Sequence, residues 1–140
     1  MIEVLAYVIA AGLTAVCCVI HYAAMRWLYR SPGLGRLPVG VLFFVGTMFV
    51  VHLFEIWIFG LAYYLMSGTV FGSVSAASFL DCIYFSASAY TTLGLGDIYP
   101  AGPIRAVTGT EGLVGLVLIA WTASFTFLHM QRFWDRDDDR

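Results

Sequence analysis

The sequence predicts an all-α membrane protein of three transmembrane helices with a re-entrant pore helix and loop, and three observations carry that expectation. The 140 residues are 61% hydrophobic and 11% charged, and every cation is an arginine. That is a membrane composition, so the net charge of -2 says little about partners. Three apolar segments, Val4 to Met25, Leu37 to Met66 and Ile104 to Met130, each reach the roughly 20 residues that cross a hydrocarbon layer. Between the last two stands TTLGLGDIYP, Thr91 to Pro100.

The first segment, within residues 1–30, reads as an extra N-terminal transmembrane helix and cytoplasmic link. Glu3 stands where a signal peptide has a basic region, and the apolar run is too long for one. Cys17 and Cys18 inside it, and Cys82 later, lack the spacing of a metal site or a disulfide framework and read as packing residues. Arg26, Arg30 and Arg36 follow the first span, and Arg132, Arg136 and Arg140 follow the last. By the positive-inside rule both regions are cytoplasmic, which places the N-terminus and the uncharged stretch Ser67 to Ser78 outside a cell membrane.

The second span, 37–66, carries His52 and Glu55. An ionisable group within a span costs roughly 2.5–3.5 kcal/mol on insertion scales, so each demands an explanation. Three residues apart, the two share a helix face within pairing distance. Either they form a proton-sensitive gating element, since histidine titrates near neutral pH, or they hydrogen-bond and tie the second span to the first or third.

Residues 76–90 are apolar, but 15 of them rise only about 22 Å, too little to cross. This segment should enter the membrane and return. Asp81 near its start serves the N-terminal amides. Irregular backbone at membrane depth survives only when buried in protein or lining water, so the following loop, 91–97, requires neighbouring copies. A dehydrated cation needs replacement oxygens, and rings of backbone carbonyls from identical loops supply them. Carbonyls turned the same way require alternate left-handed dihedrals, which glycine tolerates, and Gly94 and Gly96 have that spacing. Thr92 adds hydroxyls at the inner end, with Leu93 and Leu95 pointing back into protein.

The third span, 104–134, contains Glu111, expected behind the loop with Ser88, Tyr90 or a loop amide as its partner and Arg105 as the competing one. Gly109, Gly112 and Gly115 recur every three residues, as in close helix packing, with a hinge at Gly115 as the other reading. Phe125, Leu128, His129 and Phe133 approach the cytoplasmic end, where converging helices would form a hydrophobic constriction. The tail, 135–140, is short and charged.

Together, YFSASAYTTLGLGDIYP and IRAVTGTEGLVGLVLIAWTASFTF resemble the pore helix, filter and inner helix of bacterial two-transmembrane potassium channels. With HLFEIWIFGLAYYL, they resemble the small prokaryotic members of the ion-channel pore superfamily that carry an extra N-terminal helix, over about Val39 to Met130. The resemblance implies a homotetramer with a pore domain at 37–134 and a central pore. It implies K+ held at Thr92, Leu93, Gly94, Leu95 and Gly96, with Asp97 capping the outer mouth; in this chain Tyr84, thirteen residues earlier, is the candidate partner of Asp97, and a purely electrostatic role for Asp97 is the other reading. Gly115 falls where such channels often carry a hinge. Leu95 occupies a position most often tyrosine, whose hydroxyl braces the filter; leucine cannot donate that bond. One pore repeat of animal two-pore-domain channels also uses leucine there. The substitution implies a filter held more by packing than by hydrogen bonds.

A potassium-selective channel is therefore the leading expectation. A weakly selective sodium and potassium channel and a non-conducting subunit of a channel complex are the alternatives. An enzyme is the weakest reading, because no nucleophile with its base, metal-ligand set or phosphate motif stands at a useful spacing. Membrane lipid, K+ and further copies of the chain are the expected partners, with no nucleic acid and no cofactor beyond K+ in the filter. The gating stimulus is not legible.

Overall fold

The computed structural model describes the backbone at 1–30 and 38–138, and side chains there except at 38–39, 129 and 132–138. Four helices and a two-stranded sheet follow one another: α1 (Ile2–Arg30), α2 (Pro38–Met66), β1 (Ser73–Val74), α3 (Phe79–Tyr90), β2 (Pro100–Ala101) and α4 (Arg105–Asp138). Three helical stretches, Ile2–Arg30, Gly40–Met66 and Arg105–Leu128, are long and apolar enough to cross a membrane. Proline opens α2, where its missing N–H breaks no helical bond.

The short helix begins at Phe79, three residues later than its apolar run suggests. Ser78 is extended (φ -142°, ψ 168°), and its Oγ accepts the Asp81 amide at 3.2 Å while Asp81 Oδ2 accepts the Ser78 amide at 2.9 Å. This reciprocal cap satisfies two otherwise orphaned donors and stops the helix there. Twelve residues rise only about 18 Å, so α3 enters the membrane zone without crossing it.

Helix α1 buries Ala6, Ala10, Cys17, His21, Met25 and Leu28, a stripe at spacings of three, four and seven. That stripe packs on α2 and also on α4. The extra N-terminal helix thus reaches α4 as well as α2. Membrane helices associate through close packing rather than escape from water, and glycine supplies the closest approaches. A Cβ on Gly60 would lie 3.0 Å from Ile83 Cα, and one on Gly115 would overlap the Tyr90 carbonyl oxygen. Of the three periodic glycines, Gly112 and Gly115 face the end of α3, whereas Gly109 meets nothing within 4 Å.

Flanking α3 and its loop, β1 pairs antiparallel with β2, Ser73 opposite Ala101 and Val74 opposite Pro100. Gly72 (φ +108°) allows the approach, since a Cβ there would strike the Ala101 carbonyl. The Ser75 amide donates to the Tyr99 carbonyl at 3.0 Å, and the Tyr99 amide donates to Ser75 Oγ at 2.9 Å. The segments before α3 and after its loop are thereby clipped together. Beneath them one apolar cluster includes Phe59, Tyr63, Phe85, Ile104 and Leu118; a second, with Met25, Phe44 and Met48, lies elsewhere against Phe125.

Candidate functional site

The loop after α3 grows directly from the end of that helix. Thr92 N–H donates to the Ala89 carbonyl at 3.0 Å, and the Leu93 and Gly94 amides donate to the Ser88 carbonyl at 3.0 and 3.3 Å. Leu95 N–H donates to Ser88 Oγ at 3.2 Å. Thr92, Gly94 and Gly96 then adopt φ of 59°, 59° and 81°. Every second residue is left-handed, the alternation that turns successive carbonyls to one side. Glycine accepts this freely, but a β-branched threonine does so at a cost on the order of 1–3 kcal/mol and only where the surroundings impose it.

Leu93 and Leu95 are 64% and 55% exposed on the single chain. A single chain offers them no cover, so the protein expected behind them would be a neighbouring copy. The loop is also better hydrogen-bonded than leucine at 95 suggests, because Ser88 holds the Leu95 backbone from behind.

At the mouth of the loop, Tyr84 Oη donates to Asp97 Oδ2 at 2.9 Å, and Asp97 Oδ1 accepts the Ile98 amide at 3.0 Å. Bonding to the Asp97 carboxylate pushes the Tyr84 phenol above its ordinary value of 10.0, so it stays a donor at neutral pH.

Glu111 on α4 is fully buried behind α3. Its partners are Tyr63 Oη and Ser86 Oγ, each donating at 2.5 Å, with Ser86 Oγ also 2.8 Å from the Ile56 carbonyl. The expected partners Ser88, Tyr90 and a loop amide are corrected by the phase of α3: residues two apart on a helix face different ways. Ser86 turns to Glu111, Ser88 turns to the loop, and Tyr90 turns to Glu55. No ion pair joins Glu111 to Arg105 among the described residues.

Glu55 is likewise fully buried. Its carboxylate contacts His52 Nδ1 at 3.2 Å, as the sequence spacing suggests, and also His21 Nδ1 at 3.1 Å and Tyr90 Oη at 2.5 Å. Thr122 Oγ1 closes the group, 3.0 Å from His52 Nε2 and 3.1 Å from His21 Nε2. The cluster thus draws on all four helices. His21, Thr122, Tyr63 and Ser86 were missed in the sequence. His21 had a signal, as an ionisable residue within a span; the three hydroxyls had none.

Near the other end, Phe125 stacks on Phe44 at 5.7 Å and meets Tyr29 edge-on at 6.3 Å, so it packs against its own α1 and α2. Leu128 is exposed, and the side chains of His129 and Phe133 lie outside those described.

Comparison with known proteins places this geometry in context. The family described as "Ion channel" matches residues 51–132, more than half of the chain. The inward rectifier potassium channel Kirbac3.1 of Paramagnetospirillum magnetotacticum is 31% identical over 96 residues, covering 68% of this chain and 31% of that protein. The potassium channel protein kcv of Paramecium bursaria Chlorella virus 1 is 36% identical over 58 residues, covering 37% of this chain and 62% of that protein. The chain therefore spans less than two thirds of the length of either relative. No solved structure matches at the same stringency.

Proposed function

The chain belongs to this ion channel family, and from that premise we propose that four copies surround a central pore and pass dehydrated K+ down its electrochemical gradient. The carrying observation is the left-handed alternation at Thr92, Gly94 and Gly96, placed by a helix too short to span. Carbonyl rings at Thr92, Leu93, Gly94, Leu95 and Gly96 replace the hydration shell of the ion, and Asp97 attracts cations at the mouth. One chain cannot close a ring. The exposure of Leu93 and Leu95 supports the same reading, because a neighbouring copy would cover them. Both relatives are named potassium channels, which favours K+ as the ion.

This is a multi-pass membrane protein of an ion channel family, and its relatives are channels rather than enzymes. In the proposed orientation the N-terminus lies outside and the C-terminus in the cytoplasm of a cell membrane. The outer helix, filter and inner helix form a pore domain, with Leu128, His129 and Phe133 as constriction candidates.

Potassium against sodium flux through the purified protein in liposomes tests the proposal, with Gly94→Ala as the filter control. Potassium-selective flux that falls at least about tenfold in the variant is expected, because φ of 59° is strained for alanine. Equal sodium and potassium flux would favour the weakly selective reading that Leu95 motivates. A pure tetramer that conducts alone would remove the reading as a non-conducting subunit.

A further inference from the structure

We infer that His21, His52, Glu55, Tyr90 and Thr122 together form a binding site for one proton, and that this proton completes the hydrogen-bonded ring in which α1, α2, α3 and α4 meet. Six contacts of 2.5 to 3.2 Å link these side chains: His21 Nδ1 to Glu55 Oε1, His52 Nδ1 to both Glu55 Oε2 and Tyr90 Oη, Tyr90 Oη to Glu55 Oε2, and Thr122 Oγ1 to Nε2 of each histidine. Each is a hydrogen bond only if a proton lies in it. A proton on His52 Nδ1 serves two of them, so five protons are required. Neutral histidines supply one each, Tyr90 one and Thr122 one, and an ionised Glu55 supplies none. Four protons leave one contact with two facing lone pairs.

The shortfall falls on one histidine, which with a single proton cannot donate both to Thr122 through Nε2 and to Glu55 through Nδ1. A single hydroxyl hydrogen cannot serve both Nε2 atoms, so one histidine must donate to Thr122 while the other accepts from it. The fifth proton makes one ring an imidazolium, or it resides on Glu55 with the donors rearranged; the total is the same. It also sets the charge of the cluster to zero, where an ionised carboxylate with neutral rings would leave a buried negative charge. Trp121 stacks on His21 with centroids 5.5 Å apart, a favourable neighbour for a cationic ring.

Among the described residues, the other titratable groups within electrostatic reach are Cys17 on α1 and Glu111 on α4, while Tyr63 on α2 is bonded to Glu111. Both ion-pair contacts of Glu55 are with histidines. The donor atoms of His21, His52 and Glu55 lie within 4.8 Å of one another, but a divalent ion would leave a net positive charge and displace the protons that the ring requires. Without that proton one ring nitrogen faces Thr122 Oγ1 or a Glu55 oxygen with no hydrogen between them. A second added proton leaves the Thr122 hydroxyl without an acceptor in the ring. The ring that joins α1, α2, α3 and α4 is therefore complete only with one proton bound.

The test is nuclear magnetic resonance of the full chain in nanodiscs near pH 7, with ¹⁵N-labelled histidine and ¹³C-labelled glutamate carboxyls. Variants of each histidine assign the signals. Three protons shared among the His21 ring, the His52 ring and the Glu55 carboxyl are expected. Thr122→Val, which opens the ring, should release one of them, and Thr122→Ser should keep all three. Two neutral rings beside an ionised Glu55 in the wild-type protein would overturn the inference. So would retention of the third proton in Thr122→Val, or a spectrum that a chelator changes. The readout needs no ion flux, so it stands or falls separately from the potassium reading.

Discussion

Ser88 shows how much one hydroxyl can decide. Its carbonyl accepts the Leu93 and Gly94 amides and its Oγ accepts Leu95 N–H, so one residue holds three consecutive loop amides. In Ser88→Ala the Leu95 amide loses its partner, a loss of about 1–3 kcal/mol where no water replaces it. The expected outcome is a fall of the potassium-to-sodium permeability ratio toward one, measured under bi-ionic conditions; an unchanged ratio would assign Ser88 to folding alone. Gly115 is the steric counterpart. A Cβ there would overlap the Tyr90 carbonyl oxygen and lie 2.9 Å from Tyr90 Cγ. Gly115→Ala must therefore part α4 from α3, and overpacking of this kind costs about 1–3 kcal/mol. A lower midpoint in thermal unfolding in detergent is the expected sign. A hinge role alone would alter gating and leave that midpoint in place.

At the scale of elements, α1 is the part whose role changes most between sequence and structure. Its length and apolarity mark it as a span, but only its buried stripe shows that it touches both α2 and α4. Deletion of residues 1–30 removes His21 from a buried carboxylate. Taking one partner from a buried charged pair costs about 3–5 kcal/mol, so the shortened protein should unfold at markedly lower temperature or denaturant than the full chain. Equal stability of the two would show α1 to be an appendage. The pore helix is a contrasting case. Its capping box, Ser78 with Asp81, is written locally and could be placed from sequence, and only its first turn was misjudged.

For the whole molecule, the proposed pore requires more copies of the chain, and the exposed Leu93 and Leu95 are what a neighbouring copy would cover. Native mass spectrometry from detergent is expected to show four chains, and a monomer or dimer as the stable species would contradict the proposed pore. The span count, the re-entrant segment and the alternate glycines were legible because each depends on local composition and period: apolar length against bilayer thickness, helix rise per residue, and the dihedral freedom of Gly94 and Gly96. The pairing of His52 with Glu55 was legible for the same reason, being three residues apart on one helix. Everything that depends on the rotation of one helix against another was not. Spans this uniformly apolar carry little periodic signal for which face turns inward, so the choice of Ser86 over Ser88 for Glu111 had no trace in the chain. Nor did the arrival of His21, 34 residues before Glu55, at the same carboxylate. The sequence by itself determined a three-span, pore-loop member of an ion channel family. Only the tertiary structure decided which polar side chains meet, because a buried charge takes its partners from whichever helices pack around it.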